Sequence, residues 1–207
     1  MQVEWLHRTG NTEVIVVFGG WAIGSACFAH LAGGRDILFI SDYRDVDTNL
    51  PDLRGYATRR LVAWSFGVAA FGHWQVGRDQ AFDSRTAING SLTPVHAKTG
   101  IPPRVFRHTE ATLTEASFQD FLSHSYDAPQ PWRAFDLAPN HAELLAVQLR
   151  GAAPDCAWDR TWISARDRIF PPQNLELAWA GQPQAIRRFD APHVPFAAWS
   201  DWAQVWQ

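Results

Sequence analysis

Leu61-Val62-Ala63-Trp64-Ser65-Phe66-Gly67-Val68-Ala69-Ala70 passes from an apolar, strand-forming run into a serine and out into small residues suited to a helix. A serine at such a junction is presented at the tip of a sharp strand-to-helix turn. The residues two before and two after it must be small if strand and helix are to pass closely. Ala63 and Gly67 meet that requirement, with alanine standing where the usual pattern has glycine. The stretch reads as a nucleophile elbow. An ordinary serine at a strand-to-helix junction is the alternative, and the rest of the chain decides between them.

Working outward, Val14-Ile15-Val16-Val17-Phe18 is a continuous β-branched run ending at Gly19-Gly20, as expected for a strand buried on both faces. Ile37–Ile40, Leu61–Trp64, Thr86–Gly90, Ala157–Ser164 and Ala185–Phe189 are read as further strands. Helices are expected over Ile23–Leu31, Tyr56–Arg60, Val68–Trp74, Ala138–Leu149, Gln173–Ala180 and Phe196–Val205. Strands alternating with helices imply crossover connections, and so a mostly parallel central sheet with helices on both faces. This is the α/β class and, with the elbow, the α/β-hydrolase fold. One region breaks the alternation. Residues 93–132 are polar, Pro-containing and rich in His and Arg, with an amphipathic helix expected at Leu113–Leu122; they read as a small lid insertion.

At 207 residues the chain fits a single α/β-hydrolase domain, residues 1–207, with the lid inside it. A net charge of −3 and 18 dispersed Lys+Arg, only one of them lysine, argue against a nucleic-acid partner. Eleven Trp and 13 Phe point to an aromatic core, with some of these rings available for pocket walls. Cys27 and Cys156 lack the spacing of a zinc site or redox dithiol and read as buried thiols. The start, Met1 to Arg8, lacks the apolar core of a signal peptide, and no run is long enough to span a bilayer. No membrane association, a cytoplasmic location and a monomer are expected. No metal or organic cofactor is expected, since no His/Cys/Asp/Glu cluster has ligand spacing.

A serine hydroxyl is a poor nucleophile at neutral pH and needs a histidine base oriented by an acid. In this fold the chain order is serine, acid, histidine. His193 lies in the Pro-bracketed loop Asp190-Ala191-Pro192-His193-Val194-Pro195, after the last expected strand. Asp167 follows the fifth expected strand, with Arg166 and Arg168 beside it to keep it ionised. Asp190 is the rival acid, and Asp83 and Asp136 are weaker ones. Backbone N–H donors for a developing oxyanion are expected from Phe66, after the serine, and from Trp21, after Gly19-Gly20. Trp21, Trp64 and Phe66 are the expected substrate-binding walls. The other histidines fall too early, on helix faces or in the lid.

Val17-Phe18-Gly19-Gly20-Trp21-Ala22, Ser41-Asp42-Tyr43-Arg44-Asp45, Ala63-Trp64-Ser65-Phe66-Gly67-Val68, Ala87-Ile88-Asn89-Gly90 and Gly100-Ile101-Pro102 together resemble the BioG-type pimeloyl-ACP methyl ester esterases. The resemblance implies hydrolysis of the methyl ester of pimeloyl-ACP in biotin synthesis. It implies Ser65 as nucleophile, His193 as base and Asp167 as acid, with an acyl carrier protein bearing the pimeloyl methyl ester as partner. An acidic carrier suits a basic lid face, for which Lys98, Arg104, Arg107 and Arg133 are the candidates. The same catalytic set serves a serine thioesterase or a general short-chain carboxylesterase. Outside enzymes, the alternative is a ligand-binding module of the same fold.

Overall fold

The structure is a computed structural model that describes residues 1–79 and 81–207. Among the described residues, seven strands form one sheet in the order β1-β3-β2-β4-β5-β6-β7. They are β1 (Gln2–His7), β2 (Glu13–Phe18), β3 (Asp36–Ser41), β4 (Thr58–Trp64), β5 (Ser84–Ile88), β6 (Arg160–Ser164) and β7 (Ile186–Phe189). All the neighbouring pairs are parallel except β1 with β3, which is antiparallel. The helices are α1 (Phe66–Trp74), α2 (Pro103–Ala111), α3 (Glu115–Tyr126), α4 (Leu137–Arg150) and α5 (Pro172–Ala178).

The β-branched run of β2 explains its central place. Val14 to Phe18 are all 0% exposed, and because successive side chains point to opposite faces, both faces of the sheet must be covered there. On one face Phe18 packs against Phe71 and Trp74 of α1, at ring separations of 5.5 and 5.7 Å. On the other, Phe39 and Trp64 meet Phe28 and Phe196, at 5.7 and 5.3 Å.

That second face corrects two expectations. Ile23–Leu31 is not a helix but a loop holding one 3-10 turn, Ala26–Phe28; Gly24 within it sits at φ 77°, which breaks the helical path. Phe196–Val205 is likewise not one helix but two 3-10 turns, Phe196–Ala198 and Trp202–Val205. Tyr56–Arg60 is also not helical: from Thr58 it is the half-exposed beginning of β4, paired with Glu13 to Ile15. β1 was not expected from sequence. The helix expected at Leu113–Leu122 is α3, begun by a Thr114–Ser117 capping box. α2, just before it, is additional; it starts on Pro103, whose fixed φ suits a first helical turn. Cys27 and Cys156 are free and half-buried rather than buried. Among the described residues no helix is long and apolar enough to cross a membrane.

Candidate active site

Parallel strands all deliver their C-terminal ends to one edge of the sheet, and four of them meet there. Ser65 follows β4 and forms the junction with α1. Its backbone lies at φ 58°, ψ −126°, a region L-residues seldom occupy and which costs about 1–3 kcal/mol. Close packing compels this turn. A Cβ on Gly67 would lie 2.1 Å from the Phe18 carbonyl oxygen, and one on Gly90 would lie 2.2 Å from the Ser65 carbonyl oxygen. The Ser65 N–H donates to Ile88 O at 2.9 Å, tying the elbow to the end of β5.

His193, in the loop after β7, reaches Ser65: Nε2 lies 3.1 Å from Oγ. Its Nδ1 lies 2.8 Å from Asp167 Oδ2, in the turn after β6. The other carboxylate oxygen, Oδ1, accepts the N–H groups of Ile169 and Phe170 at 2.8 and 2.9 Å. With Asp167 accepting the Nδ1 proton, Nε2 is left free to accept from the serine hydroxyl. Ser65, Asp167 and His193 are 5%, 5% and 1% exposed, so the chain of hydrogen bonds is shielded from competing water. The imidazole lies parallel to the Phe170 ring and tilted over Trp64.

The neighbouring charges differ from expectation. Arg166 pairs with Asp190 and Asp127, and Arg168 with Asp127, so neither supports Asp167; two backbone N–H groups do. The same pairing places the rival Asp190 on Arg166. Asp83 accepts the Arg59 N–H, and Asp136 precedes α4.

Beside Ser65 opens a cavity of ≈ 290 Å³ with a mixed lining. Trp21, Phe66, Ile101, Phe106, Phe121, Leu144 and Ile169 make its apolar walls. Two helical arcs complete the lining: Val105, His108 and Thr109 of α2 with Thr112 just after it, and Ser117, Asp120 and His124 of α3, which bring the polar groups. Sequence reasoning missed these. The signal was present, because 105/108/109/112 and 117/120/121/124 each recur at the spacing of one helix face.

Trp21 and Phe66 therefore face the cavity as expected. Trp64 does not: it is 0% exposed, and its indole N–H donates to the His193 carbonyl at 3.0 Å. Its role as a substrate wall is corrected to support beneath the histidine loop. Arg133 is also corrected. It donates to the carbonyls of Ala22 and Ile23 and lies over the Phe118 ring, so it clasps the Trp21 loop rather than offering a free charge. Lys98, Arg104 and Arg107 are exposed.

Residues 1–205 match the family described as pimeloyl-ACP methyl esterase BioG. The chain belongs to this family. A crystal structure of BioG from Haemophilus influenzae superposes with a TM-score of 0.90 at 28% identity, covering 100% of both chains. An uncharacterized protein of Haemophilus influenzae is 31% identical over 223 residues, covering 100% of this chain and 99% of the relative. A malonyl-[acyl-carrier protein] O-methyltransferase of Bacteroides fragilis is 32% identical over 192 residues, 87% of this chain but only 39% of that relative's length. A lipase-esterase related protein of Clostridium acetobutylicum, 8% identical with a TM-score of 0.66 over 93% and 92% of the two chains, shares the α/β-hydrolase fold.

Within this BioG-family chain, the loop after β2 is held from behind. Tyr43, fully buried, donates its hydroxyl to Gly19 O at 2.8 Å, and its own N–H donates to Glu143 Oε1 of α4 at 3.0 Å. Burial pushes the Glu143 carboxyl up to about 7, outweighing the Tyr43 N–H bond. Trp21 is fixed in the same way, its indole N–H donating to Asn140 O of α4 at 3.0 Å. Among the described residues no group of three or more His, Cys, Asp or Glu is arranged to hold a metal ion.

Proposed function

We propose that this α/β hydrolase is a serine esterase that hydrolyses the methyl ester of pimeloyl-ACP to pimeloyl-ACP and methanol. The observation that carries the reading is the continuous hydrogen-bonded line Ser65–His193–Asp167 at the wall of a cavity with aromatic and aliphatic sides.

Ser65 Oγ attacks the ester carbonyl as His193 Nε2 takes its proton, and the resulting imidazolium is stabilised by Asp167. The oxyanion meets the N–H groups of Phe66 and Trp21; the first opens α1, where a helix's leading N–H groups have no partner within the helix and its dipole favours negative charge. Collapse of the tetrahedral intermediate expels methoxide, protonated by His193, and leaves a pimeloyl-Ser65 ester. Water, deprotonated by His193, then releases the carboxylate. The seven-carbon acyl chain lies along Phe106, Phe121 and Ile169. Residues 93–132 act as a lid within a single domain, and exposed Arg104 and Arg107 on α2 face the acidic carrier. The methyltransferase name belongs to a relative of which this chain matches less than half, and no step here needs a methyl donor.

The test incubates the protein with pimeloyl-ACP methyl ester and follows the carrier by mass. Loss of one methylene's mass from the still-acylated carrier, abolished in Ser65→Ala, supports the reading. Release of bare carrier makes the protein a thioesterase. An unchanged carrier, with Ser65 unlabelled by a fluorophosphonate, leaves a binding module.

A further inference from the structure

Beneath His193 lies a buried polar cluster that the reaction itself does not use. Asn89, 1% exposed, stands just beyond β5 at φ 45°, a left-handed conformation that a short polar side chain tolerates. Its amide nitrogen donates to the His193 carbonyl at 2.9 Å and to Ser164 Oγ at 2.7 Å, with Pro192 O at 3.3 Å. Its amide oxygen accepts the Ser164 N–H at 2.9 Å, and its own N–H donates to Trp162 O at 3.0 Å. Trp64 supplies a second donor to the same His193 carbonyl. One side chain thus joins the end of β5, the end of β6 three residues before Asp167, and the loop that carries the imidazole. Ser65, Asp167 and His193 come from three different strand ends, so their mutual distances depend on what links those ends.

We propose that Asn89 is a positioning residue that sets the His193 main chain, so that the imidazole meets Ser65 and Asp167 together. This rests on the triad reading above. Displacement of a reacting group by about 1 Å costs about 100-fold in rate. The cost falls on kcat rather than KM, because Asn89 is not among the residues that line the cavity.

The test compares the 207-residue wild type with Asn89→Gly, which keeps the positive φ and removes the side chain with its amide, and with Asp36→Asn. The latter loosens the opposite end of the sheet and controls for lost stability. Turnover of a soluble p-nitrophenyl ester, the rate of Ser65 labelling by a fluorophosphonate, and the far-downfield proton resonance of His193 Nδ1–H are measured well below each Tm. Asn89→Gly is expected to lose about 100-fold in kcat and in labelling rate with KM within about twofold, and to shift or broaden the resonance. Asp36→Asn is expected to lose Tm and keep kcat. Should Asn89→Gly fail to fold, Trp64→Phe, which deletes the other donor to the same carbonyl, is expected to lose about tenfold in kcat. A kcat within about threefold of wild type for Asn89→Gly, or for Trp64→Phe where that variant stands in, overturns the proposal. A wild type that is not labelled at Ser65 overturns the triad reading, and the proposal with it.

Discussion

Replacing Asp167 by asparagine separates orientation of the histidine from integrity of the loop. Asp167 Oδ1 accepts two N–H groups, from Ile169 and Phe170, while Oδ2 faces His193 Nδ1. An asparagine keeps its oxygen on the two N–H donors, the only orientation that leaves neither orphaned, and so turns its NH2 toward Nδ1. The imidazole must then accept at Nδ1 and carry its proton on Nε2, where it can no longer take the Ser65 proton. An aspartate-to-asparagine change of this kind costs about 10⁴ in kcat, or about 5 kcal/mol of transition-state stabilisation. Stability should be nearly unchanged. Asp167→Ala instead leaves two buried N–H groups unpaired at about 1–3 kcal/mol each, so it loses about 2–6 kcal/mol of stability as well as activity. The assay is turnover of a soluble ester together with urea melts of both variants. An Asp167→Asn protein within tenfold of wild type, or one as destabilised as Asp167→Ala, would refute the assigned tautomer.

Glu143→Gln should make the protein more stable at pH 8. The folded carboxyl titrates at about 7 against an ordinary 4.5, so the folded state keeps a proton that the unfolded chain has released. Stability therefore falls as pH rises through that window, by about 3 kcal/mol in all. Glutamine removes the slope and still accepts the Tyr43 N–H; urea melts at pH 5 and 8 measure it. Asp36 behaves oppositely: burial alone would raise its carboxyl, but donors from Thr9, Asn11 and Tyr56 overturn this and hold it well below the usual range. Its stabilisation is present above about pH 4 and lost as pH falls further, and Asp36→Asn should cost about 3 kcal/mol at pH 7 by denaturant melt. Gly90→Ala should lower Tm and cut ester hydrolysis at least tenfold, because the new methyl meets the Ser65 carbonyl, whereas Gly55→Ala, with nothing within 4 Å, should do neither. Arg104→Glu with Arg107→Glu should raise KM for a carrier-linked ester and leave KM for a free ester unchanged.

The parallel strands and the site could be read from the chain because each rests on a local pattern. Val14–Phe18 is apolar without alternation since it is buried on both faces, and Gly67 follows Ser65 by two because a side chain there would collide with the Phe18 carbonyl. Asp167 and His193 were placed by loops after β6 and β7. What failed was decided by partners distant in sequence. β1 is half-exposed and carries no continuous apolar run, so only its pairing with β3 defines it. Arg166 and Arg168 flank Asp167 in sequence, yet their guanidinium groups turn to Asp127 at the end of α3. Trp64, next to Ser65, reads as a pocket wall from sequence, yet strand alternation sends it to the opposite face from Ala63, beneath the histidine loop.

Trp64 belongs to the face on which large rings complete this sheet. Where helices were expected over 23–31 and 196–205, three short 3-10 turns stand instead, and a short turn has too few backbone contacts to cover a sheet by itself. Large rings supply the missing area. Phe28 meets Phe196 and Trp202 at 5.3 and 5.4 Å, Phe196 meets Trp64 at 5.3 Å, and Trp162 meets Trp199 at 5.4 Å. Each buried aromatic removes about 150–250 Å² from water, more than an aliphatic side chain can. This explains why 11 tryptophans occur in so short a chain. It also couples the site to the core, since Phe196 and Trp64 bracket the loop that holds His193, and a ring lost from this face would loosen the base before it unfolded the sheet.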